Sequence, residues 1–197
     1  MPFQKKSFNA LARWLHVYLS MFGFAALFFF AFTGITLNHP EWVSGNQKVN
    51  RVTGRIDPAL LSAGDSTTAT RDYVVQVIRS SHNIKARLSD FRVDDYECAV
   101  SFSGPGYSAD GFIERSTGSY EMTITTAGLI GVLNDIHKGS DTGAHWPWII
   151  DISAVVMVVV SLTGFIMIFF ISKRKLPGLV AALIGAVMFL FLCLLCI

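Results

Sequence analysis

The sequence predicts an integral membrane α-helical protein, with three transmembrane helices and an α+β domain inserted between the first and the second. Three observations predict it. Of 197 residues 52% are hydrophobic and only 15% charged, and the mean hydropathy of +0.48 lies far from the balance of a soluble domain. Residues 14–38, 148–172 and 176–197 are each long and apolar enough to cross a bilayer core, which takes ~20 residues of helix. All 14 acidic residues fall between Glu41 and Asp151, so polarity is confined to one internal segment.

The first span follows a basic stretch, residues 1–13, that carries Lys5, Lys6 and Arg13. Its apolar run is too long for a signal-peptide core and no small-residue cleavage site follows, so it is expected to be retained. Lys173, Arg174 and Lys175 form the hairpin, residues 173–175, between the second and third spans. Basic residues flank the cytoplasmic ends of spans. The expected topology therefore has a cytoplasmic N-terminus and an extracytoplasmic segment from 39 to 147. Trp42, Trp146 and Trp148 mark the outer interface, and Pro147 suits the first turn of the second span.

Within residues 39–128, Thr70 is the expected N-cap of a helix from Arg71 to Ser81, with Val74, Val77 and Ile78 at helical spacing. Four alternating segments follow at 86–93, 96–103, 107–114 and 119–126. They are separated by Asp94-Asp95, Gly104-Pro105-Gly106 and Ser116-Thr117-Gly118, the pattern of an antiparallel meander. One helix laid on such a sheet is an α+β arrangement. Residues 42–68 read mostly as loop. The region from Glu41 to Asp151 carries 10 basic and 14 acidic residues, a net of −4 that excludes nucleic acid as the expected partner.

Residues 129–147 read as an interfacial helix and loop, with Leu129, Ile130, Leu133 and Ile136 on the apolar side. The three cysteines make no disulfide framework: Cys98 is alone in the polar segment, and Cys193 and Cys196 share one face of the third span.

The chain has no Gly-rich phosphate loop, nucleophile elbow or metalloprotease helix motif, so no catalytic side chain is assigned. The five histidines are the chemical resource. His16 opens the first span, above Gly23 and Gly34, which lie within ~20° of its direction on an ideal helix. Such a groove suits a flat macrocycle, and equally a close-packed second helix. His39 closes that span, while His137 and His145 precede the second; His39 with His137 is a candidate pair of axial ligands to one haem iron. His145 is an alternative to His137, and Asn134 and Asp135 are candidates to orient the His137 ring. His82, at a helix C-terminus, reads as structural.

Taken together, these residues resemble the PepSY-associated transmembrane family. Arg13-Trp14-Leu15-His16 with Phe32-Thr33-Gly34-Ile35-Thr36-Leu37 is similar to the family's early histidine and late Thr-Gly, and Leu162-Thr163-Gly164-Phe165 repeats the latter. Ile113-Glu114-Arg115-Ser116-Thr117-Gly118 resembles the closing strand and turn of a PepSY sheet, and Asn134-Asp135-Ile136-His137-Lys138-Gly139 the entry segment to the next span. The resemblance implies a PepSY-like inserted domain. Larger relatives are inner-membrane reductases that carry b-type haem and pass electrons to ferric siderophores in the periplasm. It thus implies haem b as cofactor, ligands among His16, His39, His137 and His145, and a periplasmic acceptor such as a ferric siderophore. The chain departs from the family in having three spans, not four or more, and one PepSY unit. His16 has no second cytoplasmic histidine in the same chain, and a homodimer supplies one. The alternative is a non-enzymatic PepSY protein that binds or regulates a partner, or a small subunit of a larger membrane complex.

Overall fold

The computed structural model describes residues 2–62, 68–171 and 174–196. The expected loop at 63–67 and the hairpin residues Ser172 and Lys173 lie outside them, as do Met1, Ile197 and the side chains of Lys5 and Lys6. Three of the described helices are long and apolar enough to span a membrane, over Ser7–Leu37, Trp146–Ile168 and Lys175–Leu195. Between the first and second lies an antiparallel five-stranded sheet domain. The chain divides into two compact units, residues 1–29 with 148–197, and residues 30–147.

The first unit holds most of helix α1 (Pro2–Leu37), helix α6 (Trp146–Ile168) apart from its first two residues, and α7 (Lys175–Leu195). Helix α1 begins well before residue 14 because residues 2–13 lack a helix breaker after Pro2, and proline is tolerated in a first turn. Helix α6 ends at Ile168, short of the expected 172, in a turn through Phe169 and Phe170. Small residues bring these helices together. A Cβ on Gly23 would stand 2.7 Å from Val156 Cγ1, and Gly178 of α7 packs directly against Ile168 of α6. Most of the remaining surface is apolar and exposed; Phe22 and Leu194 are examples, at 77% and 74%. Such a surface has lipid as its solvent, since the helical backbone satisfies its own polar groups.

In the second unit, β1 (Lys48–Arg55), β2 (Arg87–Val93), β3 (Glu97–Gly104), β4 (Tyr107–Glu114) and β5 (Ser119–Thr126) form the sheet in the order β1-β5-β4-β3-β2, antiparallel throughout. The four strands read from alternation are present with ends shifted by at most one residue. Strand β1 is an addition: it falls in a stretch read as loop, pairing Lys48–Arg55 with Ser119–Thr126. Its apolar residues Val49 and Val52 are three apart, which breaks the period of two that marks a strand. Two short helices, α2 (Glu41–Ser44) and α3 (Pro58–Ser62), flank it.

Helix α4 (Thr68–His82) lies on one sheet face. It starts before Thr70, so that residue stands inside the helix and is not its N-cap. Val74 and Ile78 point into a core of Cys98, Val100, Phe102, Ile113 and Met122, all fully buried. Each large apolar side chain so buried contributes roughly 1.5–3 kcal/mol before ordering costs. His82, at the end of α4, hydrogen-bonds Tyr120 through Nε2 at 2.8 Å, in keeping with a structural role. Among the described residues the opposite sheet face carries no helix, and Phe112 stands exposed on it among outward-facing Asp110 and Glu114.

Helix α5 (Leu129–Lys138) closes the domain. Gly139 ends it in the left-handed conformation (φ 74°), its N–H returning to the Ile136 carbonyl, the common glycine stop of a helix.

Candidate functional site

Two imidazoles each meet a threonine hydroxyl through Nδ1. In the first unit, Thr163 and Gly164 fall late on α6, on the face that meets α1. His16 of α1 approaches them with Nδ1 3.0 Å from the Val160 carbonyl oxygen and 3.2 Å from Thr163 Oγ1. The Thr163 hydroxyl donates back to the Val159 and Val160 carbonyls at 2.8 and 2.9 Å, which leaves its oxygen able to accept. The ring edge lies on Gly164: a Cβ there would meet His16 Cε1 at 3.0 Å.

In the second unit the partners are Thr33 and Gly34 near the C-terminal end of α1 and His137 on the last turn of α5. Thr33 Oγ1 is 2.5 Å from His137 Nδ1, and a Cβ on Gly34 would stand 4.0 Å from His137 Cε1, an ordinary contact that leaves room for a methyl group. Phe30 meets the imidazole edge-on, ring centroids 5.1 Å apart. Burial pushes the His137 pKa below its ordinary value, because a partly desolvated imidazole resists protonation. The ring is therefore held neutral, the state in which it can ligate a metal.

Asn134 and Asp135 do not orient His137 directly. The Thr36 hydroxyl, itself buried, donates to Asn134 Oδ1 at 2.5 Å. Asp135 Oδ2 accepts the Gly106 N–H at 2.9 Å, and its Oδ1 pairs with Lys138 Nζ at 3.0 Å. Gly106 adopts φ +69° in the β3–β4 turn and lies against Val132 of α5. Helix α5 is thus clamped on one side to the end of α1 and on the other to the tip of a sheet hairpin. Trp146 adds a third tie, its Nε1–H donating to the Ile136 carbonyl at 2.6 Å.

The other two candidate ligands stand apart from this arrangement. His39 stacks on Trp42 at 4.4 Å and bonds the Glu41 carboxylate through Nδ1 at 2.9 Å. His145 is exposed in the turn before α6. His39 and His137 thus engage different partners, and among the described residues no group of three His, Cys, Asp or Glu is placed to hold a metal ion. Of the two glycines beneath His16, Gly23 is covered by Val156, while a Cβ on Gly34 would be in ordinary contact with His137.

Of the five Thr-Gly steps in the sequence, Thr33-Gly34 and Thr163-Gly164 lie beside imidazoles. The chain matches a family described as PepSY_TM-like over residues 10–197. It belongs to the PepSY-TM-like family. No curated protein and no solved structure matches it. His16, His39 and His137 each have Nδ1 engaged by an oxygen, a contact that fixes the orientation of an imidazole and leaves Nε2 outside it. The Thr-Gly pairing was visible in the sequence as a repeated dipeptide; which histidine each pair would receive was not.

Proposed function

We propose that this PepSY-TM-like protein binds haem b in the bacterial inner membrane and passes electrons to a periplasmic acceptor such as a ferric siderophore. The N-terminus is cytoplasmic and the sheet domain periplasmic in this reading. The observation that carries it is the repeated contact of a histidine Nδ1 with a threonine hydroxyl of a neighbouring helix. His16, His39, His137 and His145 form the ligand set, His39 and His137 the pair at the outer end, and a second copy of the chain supplies the imidazole that faces His16. Haem, when bound, supplies one-electron chemistry. The chain's own residues fix ring orientation, keep His137 neutral and surround the site with low-dielectric side chains. No side chain acts as acid or base.

A second reading, partner binding or regulation by the domain, or service as a subunit of a larger complex, is favoured by the uncovered sheet face. Phe112 stands there 56% exposed, and Tyr96 in the β2–β3 turn is 84% exposed, aromatic surface of the kind that marks interaction sites. Visible spectra of the detergent-purified protein, expressed with ample haem, separate the two. A Soret band with sharp α and β bands on dithionite reduction, lost in His137→Ala and retained in His82→Ala, supports the first. A featureless spectrum sinks it and leaves the second.

A further inference from the structure

The His16 contact fixes more than the position of a ring. Nδ1 faces the Val160 carbonyl at 3.0 Å, and a carbonyl oxygen only accepts. It also faces Thr163 Oγ1 at 3.2 Å, whose own proton is directed to the carbonyls of Val159 and Val160. Both partners therefore require a proton on Nδ1, which in a neutral imidazole places the lone pair on Nε2. Gly164 completes the seat, because a side chain there would meet Cε1 and Nδ1 at 3.0 and 3.4 Å and push the ring away. Thr163 is 7% exposed, so water does not compete for its oxygen.

We propose that Thr163 is a positioning residue: together with the Val160 carbonyl it locks His16 as the Nδ1–H tautomer and presents Nε2 as the ligand atom. The role assigned to Nε2 rests on the haem reading; the tautomer lock does not. His137, which makes the matching contact with Thr33, serves as the internal control.

The test uses full-length protein labelled with 15N-histidine, in detergent and free of haem, at alkaline pH where the imidazoles are neutral. His16 signals are identified by their loss in His16→Gln. The expected spectrum has a protonated, pyrrole-type Nδ1 and a bare, pyridine-type Nε2. Thr163→Val, close in shape to the native residue, lowers the ratio of Nδ1–H to Nε2–H tautomer about fivefold, the loss of one ordinary hydrogen bond. Thr163→Ser restores it, and neither change moves the His137 signals. In haem-loaded protein the reduction potential shifts in Thr163→Val and returns in Thr163→Ser. An Nε2–H tautomer in the native protein, or a ratio that Thr163→Val leaves unchanged, overturns the proposal. The stated tautomer and its response in a protein that takes up no haem uphold the lock and remove the electron-transfer reading.

Discussion

Val156 of α6 fills the space over Gly23 of α1, its Cγ1 only 2.7 Å from where a Cβ would stand. A leucine at position 23 therefore forces the two helices apart. Gly23→Leu is expected to weaken the helix pair by about 1–3 kcal/mol, and Val156→Ala in the same chain to return part of that loss. Dodecyl sulfate titration of detergent-solubilised protein measures both. No recovery in the double variant would mean that the two positions do not meet.

Asp135 joins the β3–β4 turn to α5 by a charge-assisted bond to the Gly106 N–H. Its side chain keeps 27% of its exposure, so Asp135→Ala should cost about 1.5 kcal/mol, the low end for a bond to a charged group. Lys138→Ala, which breaks only the surface ion pair, should cost less than about 0.5 kcal/mol. Thermal unfolding gives the magnitudes and amide exchange at Gly106 the location. A Gly106 amide equally protected in native and Asp135→Ala protein would refute the clamp.

Burial holds the folded-state pKa of His137 below its ordinary 6.5, so the unfolded chain takes up this proton first as pH falls. Stability rises with pH wherever the unfolded state binds more protons. The contribution of neutral His137 is thus complete above about pH 6.5 and is lost as pH falls through the folded value. The chemical-denaturation midpoint followed over that range should fall less steeply in His137→Gln than in the native protein. Parallel curves would count against the burial of this ring.

Cys98 is fully buried on β3, and burial raises its thiol pKa. The thiolate is the reactive form. In a Cys193→Ser, Cys196→Ser background, maleimide should therefore label Cys98 only after unfolding, as followed by intact mass. Rapid labelling of the folded protein would place the residue at the surface.

What the sequence disclosed depended on how regular each signal was. Four strands with clean alternation were readable to within a residue, and three long apolar runs gave the spanning helices, though not the ends of α1 and α6. Strand β1 was not, because Lys48, Asn50, Arg51 and Arg55 give an edge strand mostly in contact with solvent, and its pairing with β5 is written in backbone bonds. The histidines were singled out by type and place, and the structure gives His16 and His137 threonine partners. Their partners were hidden, since Thr33 and Thr163 reach their imidazoles across 104 and 147 residues, separations on which local periodicity carries no information. Asn134 and Asp135 were noticed beside His137, yet successive residues on a helix face different ways, and each went to another partner.

The contacts of Thr33 with His137 and Thr36 with Asn134 close chain loops of 104 and 98 residues. Closing loops of that length is entropically slow to be rewarded, though doubling a loop adds only about 0.6 kcal/mol. During synthesis, the sheet strands all emerge before α5, while the end of α1 waits for its partners with Thr33 and Thr36 unclamped. Assembly of the domain is therefore finished by its last helix, and a fragment cut at residue 128 would have every strand but no latch.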